Sequence, residues 1–196
     1  MNDAIQHILD EEEKFARTVA LGIAIQRPVT VWHYLIPGMF IFDFLNRQKA
    51  IRLYSRHFLT PRREALFAAA HIIDGKVREA VAEETKARIA SWLDELKRND
   101  DQLLAAQMRL VDILIDHYGK LLASSESAYA EMIRKAYRNR TVFQGCIDQI
   151  TRAERRVDRA LINCLGDSPI LLRRLEAERT QVERRRKAML DEIFNV

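Results

Sequence analysis

The stretch TVFQGCIDQITRAERRVDRALINCL, Thr141 to Leu165, decides the fold. Phe143, Ile150, Val157 and Cys164 recur every seven residues, and Cys146, Ala153 and Ala160 occupy the second position of each repeat. Apolar side chains at that spacing line one side of an α-helix and form a seam for a second helix. Small residues in the seam let that partner approach closely. Leu165-Gly166 supplies a C-terminal stop, because glycine accepts the left-handed backbone at which helices end. Ser168-Pro169 then restarts a helix: serine is a good cap, and the fixed φ of proline suits the first turn. The restarted helix runs to about Phe194. Leu175, Val182 and Met189 keep the heptad spacing there, with Arg179 and Arg186 falling between them. Residues 141–194 therefore predict a coiled-coil-like helical hairpin.

Working backwards, the segment from Asp101 to about Ala123 is apolar on more than one face, with Leu104, Met108, Val111, Ile115 and Leu122 joined by Leu103, Leu110, Leu114 and Leu121. A helix so broadly apolar belongs in the middle of a bundle. Ser124-Ser125 predicts the cap of a further helix to about Arg138. Upstream, Thr60-Pro61 predicts a restart, so that one helix runs from about Met39 to Leu59 and a second begins at Pro61. Asp74-Gly75 marks a split in that second helix, and Asn99-Asp100 marks its end. The N-terminal helix is capped by Asn2 or Asp3 and runs to about Gln26, where Arg27-Pro28 stops it.

Composition agrees. The chain has 196 residues, 48% hydrophobic and 31% charged, with only 6 Gly and 4 Pro. That is too apolar for disorder and too poor in turn residues for a sandwich, a barrel or a doubly wound sheet. The expected fold is all-α: a bundle of six or seven helices in long antiparallel hairpins. It forms a single domain over 1–196, with sub-units 1–63, 64–140 and 141–196.

The net charge of +4 is unevenly spread. Residues 134–196 carry 15 basic and 9 acidic side chains, whereas residues 1–133 carry 17 and 19. Arg184, Arg185 and Arg186 make nucleic acid one conceivable partner, although acidic residues interleave the basic ones and no aromatic pattern suits base stacking. The N-terminus has neither the basic n-region nor the apolar core of a secretory signal, so the expected location is cytoplasmic, at most on the inner face of a membrane.

Motifs for catalysis are missing. No Glu is followed by His three residues later, as a di-iron bundle requires, and His-Glu-x-x-His, Cys-x-x-Cys, phosphate-loop and nucleophile-elbow patterns are absent. The nearest imitation of a metal site joins Glu64, His71 and Asp74 on one helix face to Asp112, Asp116 and His117 on another. In the competing reading, Asp112 and Asp116 pair with Arg109 and Lys120 at helical spacing. Cys146 and Cys164 lie about 27 Å apart on a continuous helix. That is far beyond the roughly 7 Å a disulfide allows, so they serve as small seam residues or pair across a parallel homodimer. No cofactor is expected.

The least ordinary stretch is Val29 to Leu45, VTVWHYLIPGMFIFDFL, divided by Pro37-Gly38. It is too short and too interrupted for a simple span. Trp32, Tyr34, Phe40, Phe42 and Phe44 suit an interfacial hairpin, and residues 43–63 add six basic side chains, among them Arg47, Lys49, Arg52 and Arg56, to a single acid, Asp43. An apolar wedge beside a basic helix satisfies the two-signal logic of reversible attachment to an anionic membrane. The alternative is that these rings fold over the bundle core. The leading expectation is a non-catalytic adaptor or structural bundle that contacts a protein partner, a second copy of itself or a membrane surface. The rivals are a metal-binding protein or enzyme, and a nucleic-acid binder.

Overall fold

The computed structural model describes residues 2–25, 39–124, 126 and 128–195, and the side chains of 3–23, 48–124, 126 and 128–195. Seven helices and no strand occur among the described residues: α1 (Asn2–Ile25), α2 (Met39–Ile73), α3 (Arg78–Glu95), α4 (Asp101–Leu122), α5 (Tyr129–Tyr137), α6 (Arg140–Leu165) and α7 (Pro169–Phe194).

The boundaries follow local chemistry. The Asp100 carboxylate accepts from Leu103 N at 2.7 Å and starts α4. The Asn139 side chain does the same for α6 through Val142 N at 3.0 Å, and Ser168 for α7 through Leu171 N at 3.2 Å, with Pro169 in the first turn. Each bond satisfies an amide that a helix start leaves without a partner. Gly75 (φ 92°) and Gly166 (φ 80°) terminate α2 and α6 in backbone conformations that an L side chain resists.

Helix α4 sits at the centre, packed against α2, α3, α5 and α6, while α1 lies on α2 and α7. Its Leu103, Leu114, Tyr118 and Leu121 are sealed among Ile8, Leu66, Met132, Ile133 and Phe143 from the surrounding helices. A smaller cluster joins Ala16 and Val19 of α1 to Phe58 and Leu59 of α2 and Val182 of α7. Helices α6 and α7 form the expected antiparallel hairpin. Ion pairs Arg140–Asp191, Arg155–Glu183 and Arg179–Asp158 step up one helix as they step down the other. Within the seam, Phe143, Ile150, Ala153 and Ala160 are buried, and Cys146, Val157 and Cys164 are half-buried. Both cysteines are free and share the one continuous helix α6.

Two expectations about helix starts are corrected. Thr60-Pro61 does not restart a helix: α2 runs through Pro61 without a break. Proline leaves the His57 carbonyl without its usual amide donor. The carbonyls on either side take extra bonds, Arg56 O from the Thr60 hydroxyl at 2.9 Å and Phe58 O from the Arg62 guanidinium at 3.0 Å. Phe58, Leu59, Ala65 and Leu66 are buried on both sides of the proline, so packing holds the helix together where local preference would end it. The second correction concerns Ser124. It does not cap the next helix; its hydroxyl donates to Leu121 O at 2.6 Å and closes α4, and α5 starts behind Ala128 without a side-chain cap. The Asp74-Gly75 split occurs as expected, since α2 ends at Ile73 and α3 begins at Arg78.

Candidate binding cavity

A cavity of about 450 Å³ opens between α2, the α3–α4 junction, α6 and α7. Its walls are largely apolar, formed by Trp92, Leu93 and Leu96 of the α3 end, Leu103 and Leu110 of α4, Val157 and Leu161 of α6, and Leu175 of α7. Polar groups enter from four helices, Gln107 from α4 and the others from α2, α6 and α7, where each adjoins an apolar contact position around the helix turn. Tyr54 and His57 precede the buried Phe58, Glu154 and Asp158 flank Val157, and Glu178 and Arg186 bracket Val182.

One side of the cavity is a buried ion network. Arg186 grips Glu154 with both terminal nitrogens, Nη1 to Oε2 at 2.8 Å and Nη2 to Oε1 at 2.9 Å, and Nη1 also donates to Thr151 at 2.7 Å. Arg62 donates to the same carboxylate from Nη2 at 2.6 Å, and its Nε lies 3.2 Å from Glu12. The guanidinium of Arg62 stacks 3.5 Å from the centre of the Phe58 ring. Tyr118 completes the set by donating to Glu12 at 2.7 Å. Two cations meet two carboxylates, and all four terminal guanidinium nitrogens donate hydrogen bonds. This arrangement lets four charges leave water without a prohibitive penalty. Burial pushes the Glu154 carboxyl up, yet the charges and bonds of Arg186 and Arg62 outweigh it and hold Glu154 below the ordinary carboxylate range.

The other side is less completely paired. Tyr54 donates to Glu178 Oε1 at 2.9 Å, and no cation among the described residues forms an ion pair with that carboxylate. Burial drives Glu178 up, the Tyr54 bond and the Arg62 charge oppose this, and the Asp158 and Glu154 charges add to the rise, bringing it to about 7. Asp158 is also raised by burial, against the pull of its partner Arg179. Gln107 is 7% exposed and lines the cavity with its carboxamide oxygen unbonded, and the buried Nδ1 of His57 has no partner either. A buried polar atom left without a partner costs about 1–3 kcal/mol, so both atoms favour an additional donor or acceptor from outside the chain.

The residues singled out from sequence are scattered. Glu64 pairs with Arg88, Asp74 is exposed at the end of α2, and His71 is half-buried with Nδ1 unbonded. Asp116 pairs with Arg78 of α3, correcting the expectation that Lys120 or Arg109 on its own helix would hold it. Asp112 is exposed as a whole residue, and the partial desolvation of its carboxyl, with the Asp116 charge, raises it against the pull of Arg78. His117 is buried elsewhere, its Nδ1 2.6 Å from the Tyr137 hydroxyl, which in turn lies 3.2 Å from Cys146 Sγ. Burial, aided by Lys120, Arg186 and Arg62, lowers His117 to about 3, so it is a neutral imidazole. Among the described residues no three His, Cys, Asp or Glu side chains converge as metal ligands. Of the Arg184–Arg186 run only Arg184 is exposed, because Arg185 leans on Glu192 and Arg186 belongs to the network.

Lys49, Arg52, Arg56 and Arg63 are exposed on α2, together with Leu53 at 57%. Trp32 and Tyr34, and the side chains of Phe40, Phe42, Phe44 and Arg47, lie outside the described residues. None of the described helices is long and apolar enough to cross a membrane.

Sequence reading missed the cavity and every member of its network. One signal was present. Arg186 falls on the apolar side of α7 one heptad after Arg179, and a charge in a seam announces a buried partner. Nothing local marks Arg62, Glu12 or Gln107, which come together only through tertiary packing. No family model, curated protein or solved structure matches this chain.

Proposed function

We propose that the protein is a binding module whose helical bundle holds a small amphipathic molecule in the cavity between α2, α4, α6 and α7. The observation that carries this reading is an apolar-walled space of about 450 Å³ with the Gln107 carboxamide oxygen unbonded in its wall. Ligand sites of bundles have this size and this character, mostly apolar with a few convergent polar groups. Titration calorimetry with octan-1-ol, a neutral chain with one hydroxyl, tests the volume alone. Saturable one-to-one binding is expected, and Leu161→Trp, which fills the space from α6, abolishes it. Unsaturable partitioning, or equal binding by the filled variant, overturns the reading.

A second reading is favoured by the exposed row Lys49, Arg52 and Arg56 beside Leu53. In it this face of α2 rests on an anionic membrane, each basic side chain contributing about 1 kcal/mol. Co-sedimentation with phosphatidylserine-containing vesicles, but not with neutral ones, is expected for the wild type, and the triple variant K49E/R52E/R56E stays in the supernatant. Equal pelleting by that variant refutes it.

A further inference from the structure

We infer that the cavity selects an organic cation, a primary ammonium group on an apolar body, with the ammonium seated against Glu178. The inference rests on the binding reading and adds the chemistry of the ligand.

It follows from the charges that the walls leave unmatched. Arg62 and Arg186 are consumed by Glu154 and Glu12, Arg155 by Glu183, and Arg179 by Asp158. The remaining wall arginine, Arg98, directs Nη1 to the Lys97 carbonyl at 3.2 Å. Glu178 is the carboxylate left over. It accepts from a neutral phenol, and among the described residues no cation forms an ion pair with it; Arg62 acts on it only from beyond that range, already bound to Glu154 and Glu12. A carboxylate in that position is stabilised most by a cation that arrives with the ligand, since its charge is only partly solvated.

The second observation is independent of charge. Gln107 Oε1, on the wall contributed by α4, is buried and accepts nothing. Glu178 and Gln107 Oε1 are both acceptors, and an ammonium supplies donors only; the third unpartnered atom, His57 Nδ1, accepts or donates according to its tautomer. Trp92, Leu161 and Leu175 leave the rest of the space to hydrocarbon. The rise of Glu178 to about 7 points the same way: burial and the Asp158 and Glu154 charges destabilise its anion by more than the Tyr54 bond and the Arg62 charge restore.

The test compares three eight-carbon ligands, octylamine, octan-1-ol and octanoate, by titration calorimetry on the full chain near pH 8, where both Glu178 and the amine are charged. Octylamine is expected to bind at least about tenfold more tightly than octan-1-ol, and octanoate more weakly than either. Glu178→Gln, which keeps an acceptor for Tyr54, loses that tenfold for the amine and leaves octan-1-ol unchanged. Tyr54→Phe retains the preference for the amine, because the carboxylate remains. If octan-1-ol binds saturably but octylamine no better, or if Glu178→Gln changes nothing, the cation inference falls while the binding reading stands. Tightest binding of octanoate would point to Arg98 and also overturn it. If none of the three binds, both readings fall together.

Discussion

Replacing Glu154 by Gln removes the negative charge that Arg62 and Arg186 share. Arg186 is 7% exposed, and both of its terminal nitrogens contact Glu154. After the change it keeps Thr151 but no anion, and Arg62 keeps only Glu12. Leaving a buried charge uncompensated costs about 3–5 kcal/mol. In a chain of this length each kcal/mol lowers the melting temperature by about 2–4 °C, so a fall of roughly 6–20 °C is expected. The informative comparison is the double variant Glu154→Leu with Arg186→Met. It deletes both charges, fills the same volume with hydrocarbon, and leaves Arg62 on Glu12 and the Phe58 carbonyl. Its loss is expected to stay below about 2 kcal/mol, less than that of either single variant, because replacing a buried pair outright is close to neutral. Urea unfolding of the wild type, the two singles and the double measures the coupling, with an unchanged denaturant slope as the check on two-state behaviour. Losses in the double equal to the sum of the singles would refute the claim that these residues form one charge-balanced unit.

Other consequences are equally specific. Glu178, raised to about 7, makes the fold gain stability as pH falls from about 7 to the unfolded carboxyl value. His117, lowered to about 3, makes it lose stability as pH falls from about 6.5 towards 3. Each contributes at most about 1.4 kcal/mol per pH unit, so between about pH 6.5 and 4.5 the two slopes oppose and nearly cancel. Glu178→Gln should then reveal a loss on acidification over that window and His117→Gln a gain; chemical denaturation at stepped pH reads both, and parallel curves for all three proteins would contradict the assignment. Arg138, exposed between α5 and α6, holds φ 62°. Glycine removes the Cβ conflict there, and Arg138→Gly should raise stability by up to about 1 kcal/mol in urea unfolding; a loss would show that the side chain, not the backbone, governs the turn. Burial pushes the Cys146 thiol up, partly opposed by its bond with Tyr137. In Cys164→Ser, the remaining thiol should alkylate several-fold more slowly than it does after unfolding in urea. Equal rates would place Cys146 in open solvent.

How far the chain could be read depended on the range of the interactions involved. The seven-residue period in 141–165, the break at Asn99-Asp100, the cap at Ser168 and the stop at Gly166 lie within a few residues of what they govern, and all appear where expected. The same local rules failed at Pro61 and Ser124. The buried side chains flanking the proline keep α2 continuous, and the serine hydroxyl found a carbonyl behind it rather than an amide ahead. For function the boundary was sharper. Glu64, His71, Asp74, Asp112 and Asp116 share helix faces, but Glu64 and Asp116 are held by arginines of another helix, Asp74 and Asp112 face solvent and His71 Nδ1 is unbonded, and face-sharing within one helix cannot foretell that.

Sequence by itself determined a helical bundle, because apolar periodicity, caps and the scarcity of Gly and Pro act over single turns of helix. Tertiary structure alone decided which charges left water. Arg62 meets Glu154 across 92 residues, Tyr118 meets Glu12 across 106, and Tyr54 meets Glu178 across 124. A charge is stable in an apolar interior only when an opposite group is held within hydrogen-bond reach. Distances of that order are fixed by how helices cross, which no local pattern encodes.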